Sequence, residues 1–236
     1  MPPLKDSLHS NKTFWKNPFI VVVSTVLLYI AAQVVGALAV LPFMAFIPNK
    51  NVQYAVILGA TLLAFCGFVS TATRVIGFRW ADIGIKHTSL RNILLVIPTF
   101  VIYGLISTVL MAIAARLSGF DANQAQDVGL NKAGLENIIA AFVMLVIITP
   151  FFEELLFRGV LFHGLRKRLP FIVAALVTSI VFAVAHGQAN VAVDTFALSM
   201  FLCLLAEKTT SIWPSITLHA LKNFIAFGAL FLGWFK

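Results

Sequence analysis

Long stretches without any charged residue dominate this sequence and constrain its fold more than any other feature. The longer ones cover residues 19–47, 52–73, 92–115, 137–152 and 169–193, and shorter ones follow at 195–206, 209–221 and 223–235. A helix needs roughly 20 apolar residues to cross the hydrocarbon core of a membrane. The stretches lack the period-two alternation of a membrane β-barrel strand. The sequence therefore predicts an all-α fold, a polytopic membrane helical bundle.

We expect about seven transmembrane helices, a number set by the length that a span requires. Their predicted ranges are 19–43, 52–75, 92–116, 135–166, 171–187, 190–206 and 212–234. An eighth segment within the first stretch, which bends at Pro42, is the alternative. Because only Pro48, Asn49 and Lys50 separate the first two helices, we expect these helices to form a tight hairpin.

The charged residues are few, and their positions predict an orientation. Only 11% of residues are charged, against about 25% in a soluble domain, which excludes an ordinary cytosolic domain, a disordered chain and a coiled coil. With the N-terminus inside, the inner segments hold 11 of the 17 basic residues and the outer segments hold 4. Basic residues favour cytoplasmic segments. We therefore expect a cytoplasmic N-terminus. Because orientation in the membrane accounts for the net charge of +8, we expect no nucleic-acid partner.

Signals for targeting and redox chemistry are weak. The apolar run behind Lys5, Lys12 and Lys16 is longer than that of a cleaved signal peptide, and no lipidation motif is recognisable. We expect a multi-pass protein of a bacterial plasma membrane. Cys66 and Cys203 lie in different predicted spans and are interpreted as small buried apolar residues.

The fourth predicted helix carries three ionisable groups where lipid disfavours them. Glu154 and Arg158 are spaced i, i+4 with the acid first, which is the favourable order for an ion pair on one helix face. Glu153 points about 100° away from Glu154, and its own i+4 neighbour is Phe157. Glu153 must therefore meet another helix, water or a proton, which makes it a candidate functional residue.

Two later helices carry histidines that can reach the same region. Glu153 and His186 are equally far from the Leu169–Pro170 turn, so an antiparallel hairpin places them level with each other, about 25 Å from the turn. His219 and Asn223 are spaced i, i+4 and share a helix face. A carboxylate, two imidazoles and an amide suit hydrolysis, with Glu153 and His186 activating water and His219 and Asn223 donating to an oxyanion.

These residues resemble the three motifs of the CPBP family, the CAAX proteases and bacteriocin-processing enzymes also called the Abi family. The motifs are Glu153-Glu154-x-x-x-Arg158, Phe182-x-x-x-His186 and His219-x-x-x-Asn223. The resemblance covers about residues 135–230. It implies an intramembrane endopeptidase whose catalytic residues are Glu153, His186, His219 and Asn223, with Glu154, Arg158 and Phe182 shaping the site.

Within this resemblance we expect a single membrane domain, with N-terminal helices and loops in 1–134 and a four-helix catalytic core in 135–234. The expected substrate is a peptide or a lipidated protein at the membrane, and the bilayer is the other partner. No cofactor is favoured. A zinc-dependent version, with Glu153, His186 and His219 as ligands, stays open because two histidines and a glutamate can bind Zn²⁺.

Two functions of other classes also fit the sequence. A proton-coupled transporter would use intramembrane acids as a relay, although no inverted repeat is recognisable. Asp194, the one further acid in a late helix, is interpreted as a helix-end residue rather than a relay. A non-catalytic immunity protein would use the same polar residues only to hold the bundle together.

Overall fold

The computed structural model describes residues 17–76, 79–124 and 130–234, and in them it has seven long helices. These are α1 (Pro18–Val40), α2 (Lys50–Ile76), α3 (Leu90–Ala114), α4 (Leu135–Arg166), α5 (Phe171–Val184), α6 (Ala189–Thr209) and α7 (Trp213–Phe231). No strand occurs in the described part of the chain. The prediction of an all-α membrane bundle is confirmed, and residues 1–16, with Lys5, Lys12 and Lys16, lie outside the described residues.

Five helical segments are long and apolar enough to span a membrane. They are Pro18–Phe46, Lys50–Ala72, Leu90–Ala114, Leu135–Arg166 and Ala189–Thr209, whereas α5 is an apolar helix of only 14 residues. At 1.5 Å per residue α5 is about 21 Å long, shorter than the roughly 30 Å hydrocarbon core. The number of spans therefore stays a prediction.

Helices α1 and α2 form the hairpin that the short connection predicts. α1 ends at Val40, and a 3₁₀ helix, Leu41–Phe46, follows directly and contains Pro42. The Gln53 side chain donates to the Met44 and Ile47 carbonyls and closes the connection. Farther along, Gly36 approaches the Thr61 backbone so closely that an added Cβ would lie 2.5 Å from the Thr61 nitrogen.

Helix α4 lies at the centre of the bundle and is not a regular α-helix. It contains two segments with π-helical hydrogen bonds, Val143–Ile148 and Leu155–Phe162. Its second half is almost fully buried, with Leu155, Leu161 and Phe162 at 0% exposure. The 32 residues of α4 extend over about 48 Å, more than the membrane core is thick.

The remaining elements support α4 from several sides. The 3₁₀ turn Trp80–Ile83 packs Ile83 against Gly159 of α4, and Gly84 accepts a hydrogen bond from the Ile212 amide at the α6–α7 connection. The α4–α5 hairpin turns between Arg166 and Phe171, as its Leu169–Pro170 sequence predicts. Arg166 forms an ion pair with Glu207, at 2.6 Å, and so ties this turn to the end of α6.

Candidate active site

A buried ion pair on α4 forms the base of the candidate site. Arg158 Nη1 donates to Glu154 Oε1 at 2.8 Å, and both side chains are fully buried. Arg158 Nη2 also donates to Ser199 Oγ on α6 at 2.7 Å, and the guanidinium lies 4.6 Å from the centre of the Phe182 ring. The i, i+4 ion pair predicted from the sequence is confirmed, and it links α4 to α5 and α6.

The ion pair also orients His219 of α7. His219 Nδ1 lies 2.8 Å from Glu154 Oε1, and the imidazole is only 3% exposed. A carboxylate can only accept, so this Nδ1 carries the hydrogen. The other ring nitrogen, Nε2, lies 3.7 Å from Glu153 Oε2. This separation is too long for a direct hydrogen bond.

Glu153 lies at a cavity inside the bundle, as we expect for an acid in an apolar helix. Its Oε2 atom is buried and has no hydrogen-bond partner among the described residues, while its side chain is 23% exposed. Part of that exposure faces a cavity of about 380 Å³ that also contains His186. The structure therefore brings Glu153 and His186 to one cavity, as their equal distances from the α4–α5 turn predict.

His186 is held with one ring nitrogen available. Its Nδ1 lies 2.8 Å from the Phe182 carbonyl oxygen. Since a carbonyl can only accept, Nδ1 is the protonated nitrogen and Nε2 of the neutral ring keeps its lone pair. The Phe182 ring packs edge-on against both histidines, with centroids 4.8 Å from His186 and 5.8 Å from His219. Phe182 thus fixes the positions of both imidazoles.

Asn223 is positioned by an irregularity of α4. Its side-chain amide donates to the Leu145 carbonyl at 2.9 Å. The Thr149 amide bonds to the Met144 carbonyl in the π register, and in that register the partner of Leu145 would be Pro150, which has no N–H. The Leu145 carbonyl is therefore free to accept from Asn223. This bond uses one N–H of the Asn223 amide, and the second N–H stays available to donate.

Other polar residues near the site were missed by the sequence analysis. Ser199 Oγ on α6 accepts a hydrogen bond from Arg158, and no pattern in the sequence points to this serine. Thr25, Tyr29 and Gln33 of α1 line the same cavity as Glu153 and His186. These three are polar residues four apart in an apolar helix, and this spacing was a usable signal.

The environment of Asp194 differs from that of a solvated helix end. Its carboxylate lies 3.4 Å from Lys222 Nζ of α7 and accepts from Tyr103 Oη and Ser107 Oγ of α3, at 2.6 Å and 2.5 Å. The acid therefore joins α3, α6 and α7 in one polar cluster.

Cys203 is buried and Cys66 half-buried, and both are free thiols.

The residues present do not make a ready metal site. Within the described ranges, no three His, Cys, Asp or Glu side chains are grouped as metal ligands, and this includes the set of Glu153, His186 and His219.

Comparison with known proteins agrees with the three motifs. Residues 135–225 match the family model described as "Type II CAAX prenyl endopeptidase Rce1-like". The curated protein "Putative membrane peptidase YdiL" of Bacillus subtilis (strain 168) is 26% identical over 97 residues. That alignment covers 39% of this chain and 40% of the relative. No solved structure matches the chain significantly. The resemblance to CAAX-type proteases is thereby confirmed for the part of the chain that begins with α4.

Proposed function

We propose that this protein is an intramembrane endopeptidase that hydrolyses a peptide bond of a membrane-associated peptide or lipidated protein. One observation carries the proposal. Glu153, whose Oε2 has no hydrogen-bond partner in the described residues, shares a cavity with His186, whose Nε2 keeps a lone pair. A carboxylate and a neutral imidazole at one cavity are the groups that deprotonate water.

The proposed reaction uses these groups in sequence. Glu153, assisted by His186, takes a proton from a water molecule as the oxygen attacks the scissile carbonyl carbon. His219 Nε2, when protonated, and the remaining N–H of Asn223 donate to the oxyanion that forms. Such donors lower a barrier by several kcal/mol, about 10²–10³-fold in kcat for each. The proton held by Glu153 then passes to the leaving amine, and the C–N bond breaks.

Glu154 and Arg158 have a positioning role in this proposal. Their opposite charges neutralise each other, so the buried Arg158 does not pair with Glu153, and Glu154 holds His219 through Nδ1. Without Glu154, His219 would lose the bond that orients its ring and stabilises the doubly protonated form that donates from Nε2. The motif thus divides its two adjacent acids between a structural and a chemical task.

The test is cleavage of synthetic peptides by the purified protein in proteoliposomes. A library of decapeptides, each with and without a thioether-linked farnesyl group, is incubated and read by mass spectrometry. We expect Glu153→Gln and His186→Ala to lower cleavage about 10²–10⁴-fold, the usual contribution of a general base. Glu136→Gln and His87→Ala are the matched controls, because both residues are exposed and lie away from the cavity.

The same assay addresses the alternatives. Cleavage that survives Glu153→Gln would overturn the proposal, and so would a wild-type protein that cleaves no peptide of the library. Activity that is lost on stringent chelation and restored by Zn²⁺ would establish the zinc-dependent version. We further propose that the protein resides in a bacterial plasma membrane with its N-terminus in the cytoplasm, since the basic residues concentrate on that side.

A further inference from the structure

Helix α1 forms one wall of the cavity, although it lies outside the region that matches the family model. Five of its residues line the cavity: Val22, Thr25, Val26, Tyr29 and Gln33. The three polar ones, Thr25, Tyr29 and Gln33, are four residues apart and therefore form one row along the helix. We call them the α1 polar row. A lipid-facing helix has no reason to carry such a row unless something polar lies against it.

The α1 polar row is held in place and keeps hydrogen-bonding capacity. The Gln33 carboxamide oxygen accepts from Thr61 Oγ1 of α2 at 3.4 Å, and its nitrogen donates to Tyr29 Oη at 2.9 Å. One N–H of Gln33 and the O–H of Tyr29 have no acceptor among the described residues. Thr25 Oγ1 donates to the Val21 carbonyl and can still accept. The row thus offers both donors and acceptors to a ligand.

The spacing of the row fits an extended peptide. Residues four apart on an α-helix are separated by about 6 Å along the axis. An extended chain repeats every two residues, at about 6.6 Å. Over the three positions of the row the mismatch stays near 1 Å, which side-chain rotation absorbs. Alternate backbone groups of an extended peptide that lies along α1 can therefore each meet one member of the row.

An extended peptide at this wall would lie beside the proposed catalytic residues. Glu153 and His186 are in the same cavity, on α4 and at the end of α5. Val26 and Tyr29 also reach the outer surface of the bundle, with 42% and 40% exposure. A peptide can therefore enter from the lipid phase without crossing the core. Its backbone groups need partners, since an unpaired peptide group in an apolar environment is costly.

We infer that the α1 polar row binds the extended backbone of the substrate and holds it beside Glu153. This inference rests on the proposed endopeptidase function. The recognised chemistry is that of backbone N–H and C=O groups, so the occupant of the cavity beside α1 is an extended peptide segment. An isoprenoid or acyl chain in the same cavity would gain nothing from these hydrogen bonds, and its binding is the opposite outcome of the test.

The test compares KM and kcat for the unmodified peptide of the library that is cleaved fastest. We expect Gln33→Leu to raise KM about tenfold, the effect of one hydrogen bond, with kcat within about twofold. Tyr29→Phe removes only the hydroxyl and should raise KM several-fold. Tyr54→Phe and Thr71→Val are matched controls on α2, because both side chains are exposed and neither lines the cavity. An unchanged KM, or a loss confined to kcat, overturns the inference.

A scan of the peptide backbone identifies the bond itself. Each peptide amide is replaced in turn by an ester, whose carbonyl oxygen is a weaker acceptor, because the unused N–H of Gln33 can only donate to a peptide carbonyl. At the position that meets the α1 polar row, the ester should raise KM for the wild type but cause no further rise for Gln33→Leu. Additive effects at every position would show that Gln33 acts indirectly and would overturn the inference. A lower KM of Gln33→Leu for farnesylated peptides would assign the cavity to the lipid chain instead.

A binding assay separates this inference from the proposed function. p-Benzoylphenylalanine replaces Val26 in the Glu153→Gln variant, and the peptide library is photocrosslinked. We expect crosslinking well above that of the same probe at Val23, which does not line the cavity, and a loss of it on Gln33→Leu. If peptides crosslink but the wild type cleaves none, only the proposed function fails. If crosslinking equals that of the Val23 control, the inference fails whatever the cleavage result.

Discussion

At the scale of single residues, we expect Arg158 to contribute most to the stability of the site. Its guanidinium is fully buried and bonds to Glu154 and Ser199. Removing one partner of a buried ion pair costs about 3–5 kcal/mol, because the other charge is left unpaired. We expect Arg158→Met to lower the free energy of unfolding by about that amount, measured by denaturant titration in detergent micelles.

An ion pair with an exposed arginine provides the control for Arg158. Arg79 and Asp82 lie 3.4 Å apart, and their side chains are 65% and 7% exposed. Asp82 also accepts from the Arg79 backbone N–H and keeps that bond in Arg79→Met. Because an ion pair of a solvated arginine contributes about 0–1 kcal/mol, this variant should change the unfolding midpoint little. Equal losses for the two arginine variants would contradict the structural role assigned to Arg158.

At the scale of elements, the π-helical segment of α4 explains the place of Asn223. The Leu145 carbonyl accepts from Asn223 because Pro150 cannot supply an N–H in the π register. Asn223→Ala leaves this half-buried carbonyl unpaired, and we expect a loss of about 1–3 kcal/mol in unfolding free energy.

The Pro150→Ala background tests this dependence. Alanine restores the missing N–H, so the carbonyl can find a partner within α4. We expect Asn223→Ala to cost less in that background, with a coupling energy of about 0.5–2 kcal/mol between the two sites. Additive losses in the double-mutant cycle would mean that Pro150 and Asn223 act independently.

The α1–α2 hairpin depends on the close approach of Gly36 to Thr61. A Cβ at Gly36 would lie 2.5 Å from the Thr61 nitrogen, whereas one at Gly59 of α2 meets nothing within 4 Å. Gly36→Ala must separate the two helices, and we expect a lower melting temperature. Gly59→Ala should stabilise by about 0.5–1 kcal/mol through its helix propensity. The opposite order of the two melting temperatures would contradict the packing described here.

These elements also mark how far the sequence predicts the structure. The helices, the hairpins and the ion pair of Glu154 follow from local rules of period and spacing, and the level of Glu153 with His186 follows from counting residues to a turn. The bond between Asn223 and Leu145 does not, because it depends on a hydrogen-bond register that no residue pattern encodes. Ser199 is likewise found only once α4 and α6 are packed together.

At the scale of the whole molecule, the basic residues predict which end of the bundle faces the cytoplasm. The α4–α5 turn carries Arg166, Lys167 and Arg168, whereas the loop before α4 carries few basic residues. His186, at the opposite end of α5 from that turn, lies close to this loop, since Gln188 and Asn190 donate to the carbonyl of Gln124. The candidate site therefore lies nearer the predicted outer end of the bundle.

Cysteine labelling measures this orientation directly. In a background with Cys66→Ala and Cys203→Ala, Ser118→Cys and His87→Cys each place a thiol at an exposed position, on opposite predicted faces. With a membrane-impermeant maleimide on intact bacterial cells, we expect Ser118→Cys to be labelled and His87→Cys to be labelled only after permeabilisation. The reverse pattern would place the N-terminus outside and the end of α5 nearer the cytoplasm. A substrate peptide would then reach Glu153 from the cytoplasmic half of the membrane rather than from the outer half.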